Sequence, residues 1–424
     1  MILGEPDSLI QAIGSLRTWI ESRQFAGYDP FDLLNSPYLN ASWARKPLPG
    51  ILLIQLGKRM GGLRLRRLLK VPSSRNPKAL GLCLSAYCDL ARAGYDDVSD
   101  DAAWLKSELQ RIRSPQESDY CWGYDWDYLS LRGSRLPAFS PNCIATCFCA
   151  IALLEMGEVF KDAEALDMVR SAAHFMASRL NRSVETEHEI CFSYTPNDRT
   201  LIYNSSALVG AFLARAGGLF ANDDYLVLAR KALAFLERAQ LPTGGWHYGR
   251  LRRQSWIDSF HTSYNLCALL DYQQATGDCS FRETMLRGHR YYQTAFFTSD
   301  GAPRYFHDRT FPIDVHACAQ AILHFAAFSA LDSSALDRAW QTFHWAMRNM
   351  SATDGSFYYQ RHRLWTNRTP YMRWGQAWMF RALTRLLLVS KQHRKPQTSS
   401  EGTAESRARH ASAWKGRDKT TESP

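Results

Sequence analysis

The chain has 424 residues, is 46% hydrophobic and 12% aromatic, and carries a formal charge of +10. That much apolar material excludes a disordered chain and supports a sizeable core. No run of about 18 consecutive apolar residues is apparent, so no membrane span is expected.

The N-terminal stretch MILGEPDSLIQAIG lacks the basic start and apolar run of a signal peptide, so a cytoplasmic location is expected. Residues 1–70 read as a helical segment that joins an outer layer, with one outer helix near 5–23 or 51–69. Within it, Gly57–Lys70 carries Lys58, Arg59, Arg64, Arg66, Arg67 and Lys70 and no acid. It reads either as a solvated outer helix whose leucines face the core or as an amphipathic helix touching anionic lipid. At most peripheral membrane contact is expected.

From residue 71 to 390 one unit recurs six times. Apolar helices open near Lys78, Asn142, Asn204, His261, His316 and Arg373, spaced 64, 62, 57, 55 and 57 residues apart. A period of this size marks a repeat architecture in which each unit is one supersecondary element. The openings read NPKALGLCLSAYCDLARAG from Asn76, PNCIATCFCAIALLEM from Pro141, IYNSSALVGAFLARAGG from Ile202, SFHTSYNLCALLDY from Ser259, IDVHACAQAILHFA from Ile313 and PYMRWGQAWMFRALTRLL from Pro370. Each is apolar on nearly all faces, as in a helix buried on most sides. Each is followed by an amphipathic helix such as DAEALDMVRSAAHFMASRL from Asp162, with apolar positions at i, i+3, i+4 and i+7. Loops rich in aromatics return the chain: CWGYDWDY (Cys121–Tyr128), CFSYTPND (Cys191–Asp198), GGWHYG (Gly244–Gly249), DGAPRYF (Asp300–Phe306) and DGSFYYQ (Asp354–Gln360). Their Asp-Gly and Gly-Gly pairs mark tight turns, and their alternating aromatics predict short hairpins. The expectation is an all-α (α/α)6 toroid with six inner and six outer helices.

The tail 391–424 has eight basic and four acidic residues and few apolar ones, and is expected to be disordered. Neither basic stretch has the surroundings of a nucleic-acid module, so nucleic acid is discounted as a partner. Most of the ten cysteines fall in apolar helices, where a thiol behaves as a small hydrophobe. Cys143, Cys147 and Cys149 do not have zinc-site spacing, and no metal or cofactor is expected.

QLPTGGWHYG (Gln240–Gly249) and SATDGSFYYQ (Ser351–Gln360) resemble the Q-x-x-x-G-x-W type turn of α/α-toroid proteins. That group includes terpenoid cyclases, protein prenyltransferase β subunits and six-hairpin glycosidases. The resemblance covers roughly residues 70 to 390. Within the group, FPIDVHACAQAI (Phe311–Ile322) most resembles the toroid proteins of bacterial polysaccharide biosynthesis. SFHTSYNLCAL is also similar to the prenyltransferase segment whose histidine binds zinc, which would make His261 a ligand. The Asp-x-Cys pair those enzymes need is replaced by YNSSALV, and the Asp-x-Asp-Asp acid of squalene-type cyclases is absent too.

In a toroid the inner-helix starts gather at one mouth, where free N–H groups and the helix dipoles favour anionic or hydroxyl-rich ligands. Asp258 with His261, and Asp314 with His316, stand at two successive starts. They are candidate acids and bases, with helix capping as the plain alternative for each aspartate and ligation of a divalent metal as a lesser one. Asp125 and Asp127 of YDWDY are expected to share one face of an extended segment, and either one is a candidate to pair across the mouth with Asp258 or Asp314, as two carboxylates flank a glycosidic bond. Candidate substrate-binding residues are Tyr124, Trp126, Asn142, Tyr194, Asn204, Trp246, Tyr248, Arg304, Tyr359, Arg373 and Trp374. Arg132, Arg304 and Arg373 are candidate partners of a uronate carboxylate. Tyr194, Tyr203, Tyr248 and Tyr264 are candidate phenolic acids or bases.

The expected role is a carbohydrate-active or carbohydrate-binding protein of exopolysaccharide assembly, of hydrolase, lyase or epimerase type. Its partners would be a glycan or glycolipid and proteins of polysaccharide synthesis. Two alternatives remain: a non-catalytic scaffold, favoured if the polar groups of the mouth are all locked into caps, and an isoprenoid-handling enzyme, favoured by an uncharged aromatic lining.

Overall fold

The computed structural model describes residues 6–39, 46–95, 98–129 and 135–394. Arg132 and tail residues 395–424 lie outside the described residues. The helices are, in chain order, α1 (Pro6–Glu21), α2 (Pro47–Leu56), α3 (Gly62–Leu68), α4 (Pro77–Arg92), α5 (Ser99–Arg111), α6 (Cys143–Phe160), α7 (Ala163–Ser178), α8 (Tyr203–Phe220), α9 (Asp223–Arg238), α10 (Ser259–Thr276), α11 (Arg282–Ala295), α12 (Val315–Phe328), α13 (Ala335–Met350) and α14 (Ala377–Arg394). Helices α4, α6, α8, α10, α12 and α14 pack each on the next, and α14 returns to α4, closing a ring. Outer helices α5, α7, α9, α11 and α13 each pack on the inner helix that precedes them, and α1 covers α14. The chain is thus an (α/α)6 toroid whose outer layer is completed by its N-terminal helix.

The layers follow from side-chain chemistry. In α6 the residues from Cys143 to Cys147 are all buried, because neighbouring helices flank it on both sides and α7 covers its back. Burying each such apolar side chain contributes about 1.5–3 kcal/mol. By length and composition α6 could cross a bilayer, contrary to the expectation from sequence, but it is a mostly buried inner helix of the barrel. Outer helices such as α9 bury one stripe (Ala229, Ala232, Leu233, Leu236) and expose the other.

Short antiparallel strands stand at three of the five return loops: β1 (Tyr128–Leu129) with β2 (Arg135–Leu136), β3 (Arg182–Glu185) with β4 (Ile190–Phe192), and the three-stranded β5 (Ile313–Asp314), β6 (Gln360–Arg361), β7 (Thr366–Asn367), whereas GGWHYG and DGAPRYF make only isolated bridges instead of the expected hairpins. The Asp-Gly turn before β6 needs its glycine: Gly355 has φ +85°, and a Cβ there would sit 2.8 Å from the Ser15 backbone. Gly123 is needed for close approach, since a Cβ would meet the Ser140 carbonyl oxygen at 1.9 Å.

The far end of the barrel is closed by charge. Arg381 bridges Asp89 and Glu155, Arg385 reaches the same two carboxylates, and all but Arg385 are buried. The inner helices run parallel, so their starts gather at the other end, the mouth of the cup.

Gly57–Lys70 is not an outer barrel helix. The chain turns through a π-helical segment at Gly57–Gly61 before α3, and α2 and α3 lie beside the mouth. The Lys58 carbonyl accepts from Asn367 of β7, and its ammonium sits 3.7 Å from the centre of the Phe31 ring. Leu56 and Leu68 face solvent, not the core. Arg66 anchors the segment, donating to Asp32 at 2.8 Å and to the Asp29 carbonyl at 2.7 Å.

Candidate functional site

Four of the six inner-helix starts are capped by the polar residue that precedes them. Asn76 accepts from the amides of Lys78 and Ala79, Asn142 from Ala145, Asp258 from His261 and Asp314 from His316. Each cap satisfies an amide that has no intrahelical acceptor, worth about 1 kcal/mol.

The two Asp/His pairs sit differently. Asp258 is buried and has three donors on its carboxylate: the His261 amide at 2.9 Å, His261 Nδ1 at 2.7 Å and Trp256 Nε1 at 3.1 Å. The His261 side chain stays 22% exposed, with Nδ1 held by the carboxylate and Nε2 making no hydrogen bond among the described residues. Tyr248 stacks on Trp256 and lies 4.7 Å from the His261 ring. Asp314 also has three donors, the His316 amide at 2.8 Å, Trp374 Nε1 at 2.9 Å and Gln360 Nε2 at 2.7 Å. Its carboxylate does not touch its own helix's imidazole. Burial raises its pKa to about 6, against the pull of those three donors. His316 is buried and pairs instead with Tyr264, OH to Nε2 at 2.7 Å. Burial, then the nearby cations Lys78 and Arg373, push its pKa well below the usual range, so it is neutral. Phe260 lies between the two imidazoles, 4.2 Å from His261 and 4.6 Å from His316.

Below these pairs the axis of the cup is filled by rings from several helices. Phe148 of α6, Tyr264 of α10 and Trp378 of α14 meet with centroids 5.1 to 5.9 Å apart, and His316 of α12 stacks on Trp378 at 4.6 Å. Lys78 of α4 reaches over this floor.

One wall is built from YDWDY and the start of α14. Tyr124 and Trp126 stack at 4.7 Å and 3° and so share a face as expected, and the Tyr124 and Tyr194 hydroxyls are 2.8 Å apart. The Arg373 guanidinium lies over Tyr124, Trp126 and Trp374 and is clamped by Asp29 through two bonds of 2.7 and 3.0 Å. Asp125 and Asp127 do not share the expected face. Asp125 turns inward to the hydroxyl of Ser74 and the amide of Asn76, and Asp127 accepts from the Ala138 amide inside its hairpin. The segment bends at Asp125 instead of staying extended, which separates the two carboxylates.

Of the other expected residues, Tyr359 is buried against Tyr371, and its carbonyl accepts from Val315 next to Asp314. Asn204 lies buried in the first turn of α8. Trp246 is away from the mouth: its indole donates to the Leu236 carbonyl and packs on Gly288, between outer helices. Arg304 makes no side-chain bond to the mouth among the described residues. Sequence reasoning missed Asp29, Phe148, Phe260, Trp256 and Trp378, and treated Lys78 only as a repeat marker. Trp378 and Phe148 were findable, since each lies one turn into an aligned helix start.

No protein-family model and no curated protein matches the sequence. Solved structures do match the fold. Cellobiose 2-epimerase from Bacillus thermoamylovorans aligns with a TM-score of 0.61 at 12% identity, over 76% of this chain and 90% of that one. The GH76 α-mannanase of Bacteroides thetaiotaomicron aligns at 0.57 and 11%, over 77% and 90%. An unsaturated glucuronyl hydrolase specific for heparin aligns at 0.56 and 14%, over 74% and 86%. The chain therefore shares the toroid of six-hairpin glycosidases and sugar epimerases, and at these identities the likeness is one of fold.

Proposed function

We propose that the protein acts on a glycan in the mouth of the cup by proton transfer through His261, in the manner of an epimerase or lyase and not of a two-carboxylate hydrolase. The observation that carries this reading is the Asp258–His261 contact at 2.7 Å, with the imidazole still open to the mouth. A buried carboxylate on Nδ1 fixes the tautomer and makes Nε2 the base. Asp258 and Asp314 each already meet three donors, and Asp125 meets Ser74 and Asn76, so these carboxylates are held by other partners and do not stand ready to flank a glycosidic bond. The stacked faces of Tyr124, Trp126, Tyr248 and Trp256 suit sugar rings, and the fold neighbours handle carbohydrates.

Exopolysaccharide assembly in the cytoplasm, with a glycolipid as the presented substrate, is the finer form of the proposal. The ten free thiols are in keeping with a reducing compartment. The exposed leucines Leu48, Leu52 and Leu56, beside the basic residues of 57–70, give the rim of the mouth a surface suited to anionic lipid. A scaffold is the second reading, and the capping roles of Asn76, Asn142, Asp258 and Asp314 favour it. Lys78 reaches over the aromatic floor and the Arg373–Asp29 pair lies in the wall, and these charges disfavour an isoprenoid.

The test incubates acidic and neutral oligosaccharides with the protein in heavy water and follows mass. Deuterium incorporation or an unsaturated product, abolished by His261→Ala, supports the reading. Addition of water with His261→Ala unaffected overturns it, and binding without turnover moves the assignment to the scaffold.

A further inference from the structure

We propose that the floor of the cup is an oxyanion site centred on Lys78, and that the sugar taken there carries a carboxylate or a phosphate. The second clause rests on the glycan reading; the first does not.

Lys78 occupies the second position of α4 and would ordinarily extend into solvent. Here its side chain is 3% exposed and runs toward the barrel axis. Its ammonium lies 4.1 Å from the centre of Phe148, 5.0 Å from Trp378 and 5.7 Å from Tyr264, rings carried by three other inner helices. Among the described residues it has no hydrogen-bond acceptor and no carboxylate partner. The other buried cations are all paired: Arg66 with Asp32, Arg373 with Asp29, and Arg381 with Asp89 and Glu155. A buried charge costs several kcal/mol unless it is paired, and aromatic faces return only about 0.5–2 kcal/mol. Lys78 is therefore the exception that a missing partner would explain.

The surroundings point to an anionic partner. The charged groups facing Lys78 are Arg373 at the start of α14 and Asp29 from the N-terminal segment, and Asp29 is already held by both arms of Arg373. His316 of α12 adds another neutral donor-bearing ring. Cys147 and Cys149 of α6 are thiols whose burial pushes them up, so neither supplies an anion. Two more nitrogens around the same rings, Trp378 Nε1 and His316 Nδ1, are buried without a partner among the described residues. If Tyr264 donates to His316 Nε2, the neutral ring carries its proton on that free Nδ1. All three donors belong to the same cluster of rings, and the inner-helix N-termini add partial positive charge at that end of the barrel. Burial, then Arg373, lowers the Lys78 pKa well below its usual value, and an anion bound beside it would favour the charged ammonium.

The test is calorimetric titration with inorganic phosphate, D-glucuronate and D-glucose, on the full chain and on Lys78→Met. Met keeps the length of the side chain and suits an aromatic pocket, so Tm should hold. The expected result is that at least one of the two anions binds tenfold or more tighter than glucose, and that Lys78→Met removes that preference while leaving any glucose binding within twofold. If both anions bind, each should compete with the other on the unaltered protein, a check that needs no variant. The site is overturned if neither anion binds, or if Lys78→Met of unchanged Tm binds them as well as the parent. Phosphate held through Lys78 with no sugar bound keeps the site and removes the glycan reading. Glucose bound as tightly as glucuronate, with Lys78→Met indifferent, removes the site and keeps the glycan reading.

Discussion

Asp258 does two things to His261: one carboxylate oxygen caps the helix that carries the histidine, and the other lies 2.7 Å from its Nδ1. The two roles separate by substitution. Asn caps as well as Asp, so Asp258→Asn should hold stability to within about 1 kcal/mol. It replaces the acceptor facing Nδ1 with an N–H group and removes the charge that favours the working tautomer. Turnover should fall about 100-fold or more, the usual worth of a placed base. Asp258→Ala should lose the cap as well. Thermal unfolding read beside deuterium incorporation checks both, and full turnover in Asp258→Asn would reduce the contact to a cap.

Asp314 gives the fold a pH signature. Its pKa is about 6 in the folded chain against an ordinary value of 3.8, so between those values the folded chain binds more protons than the unfolded one. Its contribution is fully present below pH 3.8 and is lost as pH rises through about 6. The amount is about 1–3 kcal/mol. Asp314→Asn cannot titrate. The stability of the parent relative to this variant should therefore fall from about pH 4 to about pH 7 and level off above. A difference that is flat with pH, or that grows in favour of the parent, counts against a buried carboxyl here. Denaturant unfolding at several pH values measures it.

The architecture was largely legible and the floor was not, for one reason. A repeated buried helix leaves a period in the sequence, and the expected openings fall within two residues of the observed helix starts, taking the π-helical turn at Met372 as the opening of the last. Of the two N-terminal stretches read as candidates for the sixth outer helix, 5–23 supplies it as α1 and 51–69 does not. Burial of single polar residues leaves no period. Lys78 at a helix start reads as solvated, and its burial follows only from rings on α6, α10 and α14. Asp29 and Arg373 are 344 residues apart, so their pairing appears only when the ring closes. Trp246 and Trp374 both stand beside return loops, yet one packs between outer helices and the other donates to Asp314. Gly57–Lys70 has helical patterning, but its glycines break it at Gly57–Gly61.

That long-range pair makes its own prediction. Asp29 and Arg373 are both buried, and removing one leaves the other as an unpaired charge. Arg373→Met or Asp29→Asn alone should cost about 3–5 kcal/mol. The double variant should recover much of that loss, because no bare charge remains. Chemical denaturation of the four proteins of the cycle measures the coupling, and strictly additive losses would show that the two side chains do not act as a pair.

The rim yields a prediction independent of any catalytic role. Leu48, Leu52 and Leu56 are four residues apart on α2 and share one exposed face, with Leu68 exposed on α3. The turn between β6 and β7, tied to this segment by the Asn367 to Lys58 bond, exposes Leu364 and Trp365. Residues 46–70 and 360–370 contain no acid, and Arg59, Arg64, Arg67, Lys70, Arg363 and Arg368 lie among the apolar side chains. Apolar insertion together with attraction to anionic headgroups gives reversible surface binding, about 1 kcal/mol per basic residue near the surface. The protein should sediment with vesicles containing phosphatidylserine and not with purely zwitterionic ones, and added salt should weaken the association. Leu48→Ser/Leu52→Ser/Leu56→Ser should lose most of the binding with little change in Tm, because these side chains already face water. Equal sedimentation with both vesicle types, or undiminished binding of the triple variant, would leave the rim as ordinary surface and detach the glycolipid from the proposed substrate.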